Sequence, residues 1–597
     1  MLFRSIILIL FTLISININA SKAMRYFRDI TLNDGRVVKA TLVGDEHMHY
    51  HRTTDGEIVL YNSEGKYYYA ASKEDIDSLK NIYNNLVEQQ NKNLAKGMRS
   101  SVTTNKNGHL TGTRLFPSTG NPKVLVLMVE FTDVSFTFGS EYIDTLLNSE
   151  KMNTDVWING VVARSPGSVA EYFDFCSGGK FRPQFDIYGT FKVNNTAAYY
   201  AADGRSETFV RDACKAAEDY VDFSEYDQDG DGYVDLVYIM YAGYGDNWEG
   251  LKKYIWPKTI YTSGSFCTVD GMKIHRAGMS NEINFTPELV KKRLNNNKPL
   301  VGIGTFAHEF CHTMGITDFY PNNGTWLNDT VPEKNHPEWY DNQSMEEWSL
   351  MDGGGNRQNT CLPTPLNAFE RYLFGWIDDF QVLEEPANIT LTPLRDGGQA
   401  YKILGNNDNE YWIIEAIPSD NEWYFGFNSY TGTGMTVTHI NSSISRFSAS
   451  TMVNGTHGNP GITLVPADER IIGFFDYDES IEDYEASMLG DPFPGTQGVT
   501  QLTDYLVKDG TIDKPIYQIV QNNDYSVDFS FMYLRGDANG DGEVGMADVM
   551  YIVNYTLGTP APSFKTREAD TNNDGIINMT DAMYIVSYIL NGKFPKE

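Results

Sequence analysis

Two twelve-residue segments near the C-terminus share one pattern of oxygen-bearing side chains, and this repeat constrains the fold more than any other feature. The segments are DANGDGEVGMAD (537–548) and DTNNDGIINMTD (570–581), which begin 33 residues apart. Oxygen donors fall at positions 1, 3, 5, 7 and 12 of each, as in the calcium loop of an EF-hand. An apolar run, VMYIVNYTL or AMYIVSYIL, follows each loop. The repeat predicts two calcium loop–helix units that pack together.

The residues predicted to hold calcium are the five donor positions of each loop. Both loops place Asp at position 12, where an EF-hand has a bidentate Glu. The predicted ligands are Asp537, Asn539, Asp541, Glu543 and Asp548 in the first loop and Asp570, Asn572, Asp574, Ile576 and Asp581 in the second. The segment 535–593 resembles a type I dockerin, which implies a small all-α domain, bound Ca²⁺ and a cohesin-bearing partner. A stable C-terminal cap without a partner is the alternative.

The stretch HEFCHTMGITDFY (308–320) raises the question of a second metal. His308 and His312 project from one face of an α-helix because they are four residues apart. Imidazole nitrogens are zinc ligands, and Glu309 beside that face can act as general base on a zinc-bound water. For these residues alone, an amphipathic helix that happens to carry two histidines is the alternative.

The residues that follow favour the metal. Gly315 can end the helix and turn the chain, so that Asp318 can return as a third ligand. Downstream, WSLMDGGG (348–355) places Met351 in a tight turn. This is the layout of metzincin-like zinc peptidases, with Asp in place of the usual third His. We therefore predict catalytic Zn²⁺ held by His308, His312 and Asp318.

Two assignments around this motif stay open. The pair Glu346-Glu347, just before the predicted Met-turn, could supply the third ligand instead of Asp318. Tyr320 could hydrogen-bond the tetrahedral oxyanion of the reaction, although a buried structural tyrosine is the alternative. Cys311 points away from the metal face of the helix, so we predict that it packs.

Several blocks resemble the M6, or immune inhibitor A-type, metallopeptidases in their order along the chain. They are VLVLMVEFTD (124–133), GSVAEYFDFCSGGKFRPQFDIYG (167–189), YDQDGDGYVDLVYIMYAGYGDN (226–247), EEWSLMDGGG (346–355), GTGMTVTHIN (432–441) and DPFPGT (491–496). The resemblance covers most of residues 25–533. It implies a secreted zinc endopeptidase that is made as a zymogen and acts on protein or peptide substrates.

A third calcium site is predicted within DQDGDGYVD (227–235). Oxygens alternate along this stretch, and Gly232 permits a sharp turn as in an EF-hand loop. Four carboxylates so close together repel one another unless a cation neutralises them. A solvated acidic turn is the alternative. The predicted ligands are Asp227, Asp229, Asp231, the Tyr233 carbonyl and Asp235.

Net charge and targeting signals further limit the functions that the chain can have. The formal net charge is −32, with 79 acidic against 47 basic side chains, which argues against a nucleic-acid partner. MLFRSIILILFTLISININA (1–20) has the pattern of a secretory signal, with an uncleaved anchor as the alternative. No later segment is apolar enough to span a bilayer, so we expect a secreted, extracellular or cell-surface protein. The five cysteines lack a C-x-x-C pair and are predicted to pack.

The predicted fold class is multidomain α+β. The metzincin-like peptidase domain is expected to contain a mixed sheet plus helices, and a polar stretch at 88–112 is expected to form an exposed linker. We expect VLVLMVEF (124–131) to be a buried strand. The predicted units are a signal peptide (1–20), a propeptide with linker (21–115), the catalytic domain (116–380), a β-sandwich (381–534) and the dockerin-like domain (535–593).

The remaining histidines add a regulatory possibility. His47, His49 and His51 alternate in GDEHMHYHR (44–52), so a strand would show them on one face. They could bind metal, or Asp45 could cap the zinc in a zymogen, while a plain surface strand is the alternative. His439 is predicted to be a core residue. The competing function is a catalytically inert, calcium-dependent adhesion or scaffold protein, against which the intact Glu309 argues.

Overall fold

The computed structural model describes most of the chain. The described residues are 16–24, 27–46, 48–82, 85, 102–150, 155–158, 161–164, 166–262, 264–284, 302–320, 344–358, 360–407, 409–419, 423–424, 431–442, 453–454, 460–470, 481–503 and 514–595.

The strands form several sheets that follow one another along the sequence. In chain order they are β1 Ile16–Ala20, β2 Arg28–Thr31, β3 Val37–Gly44, β4 His49–Thr53, β5 Ile58–Asn62, β6 Tyr67–Ala70, β7 Val102–Thr104, β8 Leu110–Gly112, β9 Lys123–Glu130, β10 Asp155–Ile158, β11 Val161–Arg164, β12 Gln184–Lys192, β13 Tyr233–Val234, β14 Val237–Tyr244, β15 Lys258–Thr262, β16 Cys267–Val269, β17 Met272–Ile274, β18 Arg276–Ile283, β19 Gln381–Val382, β20 Ala387–Leu391, β21 Tyr401–Leu404, β22 Glu410–Ile417, β23 Gly434–Asn441, β24 Ile462–Leu464, β25 Ile516–Gln521 and β26 Val527–Phe531.

The helices lie mainly around the central sheet and at the C-terminus. They are α1 Ser140–Asn148, α2 Val169–Ser177, α3 Ala197–Ala201, α4 Ser206–Ala217, α5 Gly304–Thr313, α6 Ala368–Leu373, α7 Ile481–Gly490, α8 Met546–Thr556, α9 Thr566–Ala569 and α10 Met579–Asn591.

The central sheet has the strand order β1-β15-β18-β14-β9-β12. Strands β12, β9, β14 and β18 are parallel; at one edge β15 pairs antiparallel with β18, and β1 pairs antiparallel with β15. The predicted buried strand is confirmed as β9. Its residues alternate between two cores, with Leu125, Leu127 and Val129 facing one and Val124 and Met128 the other. Because helices cover both faces of the sheet, all the interior positions of this strand, 124–129, are apolar.

The N-terminal region is an antiparallel sheet of β2 to β6 in sequence order. Its hairpin turns coincide with the turn signals of the sequence, and Gly35 and Gly56 adopt positive φ. Part of the polar stretch 88–112 is exposed as predicted but is not a plain linker. Residues 102–112 form the hairpin β7–β8, in which Val102 is fully buried while residues 103–107 and 111–112 are exposed, and residues 88–101 lie outside the described residues. Val102 packs against Gly315, and the Tyr372 hydroxyl donates to the Asn107 carbonyl, so both contacts fix the hairpin.

Two further sheets follow the central one. A five-stranded sheet has the order β19-β21-β22-β23-β24, and a three-stranded sheet has the order β20-β26-β25. One hydrophobic core contains side chains of both sheets, among them Trp412 and Phe529, as predicted for a sandwich. The other face of the five-stranded sheet contributes Ile413, Ile440 and Ile462 to the largest core of the molecule. The five-stranded sheet is therefore buried on both faces.

The C-terminal unit packs α8 against α10 over a small core. The two loop–helix units pack together as predicted, through Val549, Ile552 and Ile585, which are buried, and Val586, which is partly buried. Met583 on the same helix as Ile585 is 60% exposed. Of the described residues, no helix is long and apolar enough to cross a membrane.

Candidate metal centre

Helix α5 carries three of the predicted site residues, His308, Glu309 and His312. Every residue of the helix is buried, and no proline or internal glycine interrupts it. The helix ends at Thr313 with Met314 as its C-cap, and Gly315 follows with φ 103°, a left-handed conformation that suits glycine. A Cβ on Gly315 would approach the Val102 side chain to 3.0 Å. The glycine thus allows both the sharp turn and the close packing behind it.

The turn at Gly315 brings Asp318 back to the histidines. Asp318 Oδ1 lies 3.1 Å from His308 Nε2 and 3.2 Å from His312 Nε2. The two Nε2 atoms are 3.2 Å apart. All three side chains are at least 94% buried, and their donor atoms form one of the two candidate metal groups among the described residues.

The second nitrogen of each histidine fixes the ring. His308 Nδ1 lies 2.8 Å from the Leu350 carbonyl, and His312 Nδ1 lies 2.9 Å from the Ile316 carbonyl. A carbonyl only accepts, so each Nδ1 carries a hydrogen, and Nε2 is the ring atom that faces Asp318 and can bind a metal. Second bonds of this kind orient metal-binding histidines.

The donor set fits Zn²⁺. Three lone-pair atoms face one another here, and such atoms repel unless a cation lies between them. Tetrahedral zinc with ligands at about 2.0–2.1 Å separates those ligands by about 3.3 Å, close to the spacing of the triad. Burial alone would raise the pKa of Asp318, but the neighbouring His312 and His308 lower it to about 2.

Glu309 lies beside this triad and is fully buried. Its Oε1 accepts the backbone N–H of Ser21 at 2.7 Å. The Thr259 hydroxyl donates to the Glu309 carbonyl at 2.7 Å and lies 3.4 Å from Oε2. Burial raises the pKa of Glu309 well above its ordinary value. A carboxylate with a raised pKa is a good acceptor for a proton from water.

The N-terminal segment of the chain occupies the cleft in front of Glu309. Strand β1 pairs antiparallel with β15, from Ile16 opposite Thr262 to Ala20 opposite Lys258. Beyond it, Trp256 Nε1 donates to the Ser21 carbonyl at 2.7 Å, and Met24 N–H donates to the Asn247 carbonyl at 2.7 Å. The chain's own N-terminal segment is thus held in the cleft by backbone pairing and by the Trp256 side chain.

Lys22 enters a pocket next to the Met-turn. Its Nζ lies 2.9 Å from Asp352 Oδ1 and 3.4 Å from Glu346 Oε2. Glu346 was the alternative third zinc ligand together with Glu347. The structure places the Glu346 carboxylate on Lys22 and on the Tyr484 hydroxyl, at 3.3 Å, and brings Asp318 to the histidines.

The predicted Met-turn forms a buried turn beneath the histidines, with Met351 fully buried. Sequence reasoning missed the residue that holds it, Glu370. Glu370 Oε1 accepts the Ser349 hydroxyl at 2.6 Å and the Met351 N–H at 3.2 Å. Burial raises the pKa of Glu370 to about 7. The signal in the sequence is N-A-F-E (367–370), the capping box at the start of α6.

Tyr320 follows the triad and is 2% exposed. Lys22 Nζ lies 6.0 Å from the centre of its ring. Burial raises the pKa of the phenol well above its ordinary value, so the hydroxyl keeps its proton and can donate a hydrogen bond. A role in stabilising an oxyanion stays a prediction.

The predicted calcium loop at 227–235 brings three of its four carboxylates together. Donor oxygens of Asp227, Asp229 and Asp235 all lie within 4.8 Å of one another. Burial, followed by the charges of Asp229 and Asp227, raises the pKa of Asp235 to about 6. Asp231 instead accepts Arg114 Nε at 2.6 Å, so the structure does not bring it into the cluster. Tyr233 was predicted to bind through its carbonyl. Its side chain packs with Arg114, whose guanidinium carbon lies 3.4 Å from the centre of the ring.

In each C-terminal loop, the carboxylate of the first aspartate accepts hydrogen bonds from backbone N–H groups further along the loop. In the first loop, Asp537 Oδ1 accepts the N–H groups of Gly540 and Asp541, and Oδ2 accepts that of Gly542. Asp570 plays the same part in the second loop, where its carboxylate accepts from Asp574 and Gly575.

The last aspartate of each loop closes it. Asp548 accepts from Asn539, and Asp581 accepts from Asn572. Burial, followed by the charges of Asp537 and Asp541, raises the pKa of Asp548. The loops match each other position by position, as the repeat predicts, including the Asn539–Asp541 and Asn572–Asp574 side-chain contacts at 2.9 and 2.8 Å.

Comparison with protein families gives one match, at residues 535–590, to the dockerin type I domain. These residues form a dockerin type I domain. The match confirms the dockerin prediction and the calcium that domains of this type bind. No curated protein matches the chain significantly.

The predicted histidine strand lies in the N-terminal sheet and packs against the central region. His49 Nε2 lies 3.2 Å from the Gly250 carbonyl and its ring stacks on Trp256, whereas His51 Nε2 lies 2.9 Å from Arg28 Nη2. His47 lies outside the described residues. Asp45 accepts the Met48 N–H within its own turn. His49 and His51 thus serve packing and hydrogen bonding.

Two other predictions concern buried residues. His439 is buried beside Trp412 with its Nε2 3.3 Å from Glu410 Oε1, in agreement with a core role. All five cysteines are free, and Cys311 is fully buried in α5. The cysteines therefore pack as predicted, with Cys267 partly exposed.

Proposed function

We propose that the chain is a secreted, zinc-dependent endopeptidase of the metzincin-like type that hydrolyses extracellular proteins or peptides. The observation that carries this proposal is the triad of His308, His312 and Asp318, whose lone pairs converge at 3.1–3.2 Å with Glu309 beside them. The raised pKa of Glu309 and the peptide-binding edge of β15 support it.

The proposed mechanism assigns a role to each group of the site. Zn²⁺ held by the triad would supply a Lewis acid for the scissile carbonyl and lower the pKa of water. Glu309 accepts the proton of the attacking water and returns it to the leaving amine. Thr259 positions the helix carbonyl and the carboxylate of Glu309. The edge of β15 aligns the peptide by the strand pairing that β1 shows.

We further propose that the N-terminal region keeps the enzyme latent. Ser21 N–H donates to Glu309 Oε1, and the Ser21 carbonyl accepts from Trp256 Nε1. Residues 16–20, which pair with β15, belong to the predicted signal peptide. A substrate that reaches Glu309 and the segment that begins at Ser21 need the same space, so they exclude each other. Removal of residues 21 to about 115, with a cut within the polar stretch 88–112, would free the cleft.

For the C-terminal domain we propose calcium-dependent attachment to a cohesin-bearing partner. The dockerin match and the two acidic loops support this assignment. The exposed apolar side chains Met546, Met550, Met579 and Met583 lie on α8 and α10 and offer a surface for a protein partner. Attachment of this kind would keep a secreted peptidase at a cell surface or in an extracellular assembly.

The proposed activity is tested by casein hydrolysis with metal analysis on the same samples. The purified chain from which the propeptide has been removed should hydrolyse casein, lose this activity to a zinc chelator and regain it with added Zn²⁺. Glu309→Gln should abolish hydrolysis while zinc stays bound, and Glu225→Gln, at an exposed site, serves as control. A zinc-loaded chain from which the propeptide has been removed and which cleaves nothing would instead support the inert scaffold.

A further inference from the structure

The pocket that receives Lys22 carries two buried carboxylates. Side chains of Lys22, Glu346 and Asp352 are exposed by 4%, 2% and 0%. Burial lowers the pKa of Lys22, but the charges of Asp352 and Glu346 outweigh this effect and raise it. The lysine is thus held as a cation in an environment that excludes water.

The protein fixes the two carboxylates independently of Lys22. Asp352 Oδ2 accepts the N–H groups of Met345 and Glu346 at 3.2 and 2.9 Å, which leaves Oδ1 directed at the lysine. Glu346 Oε2 also accepts the Tyr484 hydroxyl at 3.3 Å. Two buried anions held by the backbone of a tight turn and by a second element form a preorganised receptor for one cation.

The position of this receptor relative to Glu309 is defined by the peptide in the cleft. Strand β1 lies on the edge of β15, Ser21 N–H contacts Glu309, and Lys22 is the next residue. A substrate bound along β15 in the same direction would place its own side chain in the pocket one residue after the one that contacts Glu309.

We propose that Glu346 and Asp352 form a substrate subsite that selects Lys or Arg at this position. The inference rests on the proposed peptidase function and adds the chemical class of its substrates. Burial of an unpaired carboxylate costs far more free energy than burial of a paired one. An apolar or acidic substrate side chain would leave the negative charge of the pocket uncompensated. Lys22 then serves as the chain's own occupant of a pocket built for substrate.

The first test compares internally quenched peptides based on residues 18–24, INASKAM. Where solubility requires it, the first residue is omitted, which gives NASKAM. The lysine is replaced by Arg, norleucine or Glu, and the chain is used in its matured secreted form. We expect kcat/KM for Lys and Arg to exceed that for norleucine at least tenfold, with Glu poorest. Equal values for Lys and norleucine would overturn the proposal.

Variants of the pocket sharpen this test. Glu346→Gln should reduce the Lys-to-norleucine ratio of kcat/KM severalfold, mainly through KM, and Glu346→Lys should favour the Glu peptide. Glu485→Gln changes an exposed carboxylate next to Tyr484 and is the matched control. A ratio that is unchanged in Glu346→Gln would show that the pocket does not select substrate.

Binding separates this proposal from the activity on which it rests. A fluorescent NASKAM peptide should bind the matured Glu309→Gln chain at least tenfold more tightly than its norleucine counterpart. If zinc-loaded wild type cleaves no peptide but this preference is present, the peptidase function fails while the cation subsite stands. If neither peptide is preferred, the subsite is wrong whatever the activity.

Discussion

Helix α5 and the C-terminal loops both gather side chains that could bind a metal, but they do so in opposite ways. Around α5, the donors are buried in the largest core of the molecule, and separate carbonyls orient both histidines. In the dockerin domain, the acidic loops are largely exposed and cover a core of six buried side chains. We therefore expect core packing to hold the donors around α5 in place, and we expect the dockerin domain to depend on calcium to offset the charge of its loops.

The largest expected effect is a loss of peptidase activity on substitution of Glu309, which lies beside the donors around α5. Glu309→Gln preserves the shape of α5 and removes the proton acceptor, so peptidase activity should fall by about two orders of magnitude or more. Casein hydrolysis and zinc content are measured on the same protein, and melting should be unchanged. Substantial activity with zinc retained would assign the base to another residue.

The second prediction concerns folding without metal. Removing calcium should open residues 535–590 to hydrogen exchange while leaving β9 and α5 protected, because calcium at about 100 times its Kd stabilises a site by about 2.7 kcal/mol. Asp537→Ala should weaken the first loop selectively, and Asp570→Ala the second. Equal protection of the dockerin domain with and without calcium would remove the contrast between the two regions.

The third prediction concerns the ligands of the first region. Asp318→Ala should lower zinc affinity by about tenfold or more, and Glu346→Ala should lower it less, because Asp318 Oδ1 adjoins both histidines. Competition with a zinc-binding dye measures both affinities. The reverse order would place the third ligand before the Met-turn, as the sequence also allowed.

The smallest expected effect concerns the support of the Met-turn. Glu370→Gln keeps the size of the side chain but weakens its bonds to Ser349 and Met351, which should cost about 1 kcal/mol of stability. Chemical denaturation measures the loss, and Glu225→Gln at the surface should show none. If Glu370→Gln lowers the free energy of zinc binding by more than it lowers the free energy of unfolding, the turn positions His308 rather than supporting the core.

The sequence predicted features that depend on local spacing. Helix α5, its glycine, the strand β9 and the paired C-terminal loops all follow from periodicity or from a short motif. Contacts between distant parts of the chain could not be predicted, because nothing in the spacing relates Lys22 to Asp352, Glu370 to Ser349 or Arg114 to Asp231. The hairpin β7–β8 was missed for the same reason, since it is fixed by distant contacts, of Val102 with Gly315 and of Asn107 with Tyr372.

The five-stranded sheet has a consequence for how such a chain can be recombined in evolution. Residues of β22, β23 and β24 belong to the same core as α5, and the Asn454 side chain donates to the Phe319 carbonyl beside the metal triad. A gene fusion that exchanged residues 381–534 would have to rebuild that core and reposition Phe319. The dockerin domain has its own core, so a gene fusion can add, remove or exchange it as a unit. Of residues 381–534 and the dockerin domain, only the dockerin domain can therefore be exchanged without rebuilding the core around α5.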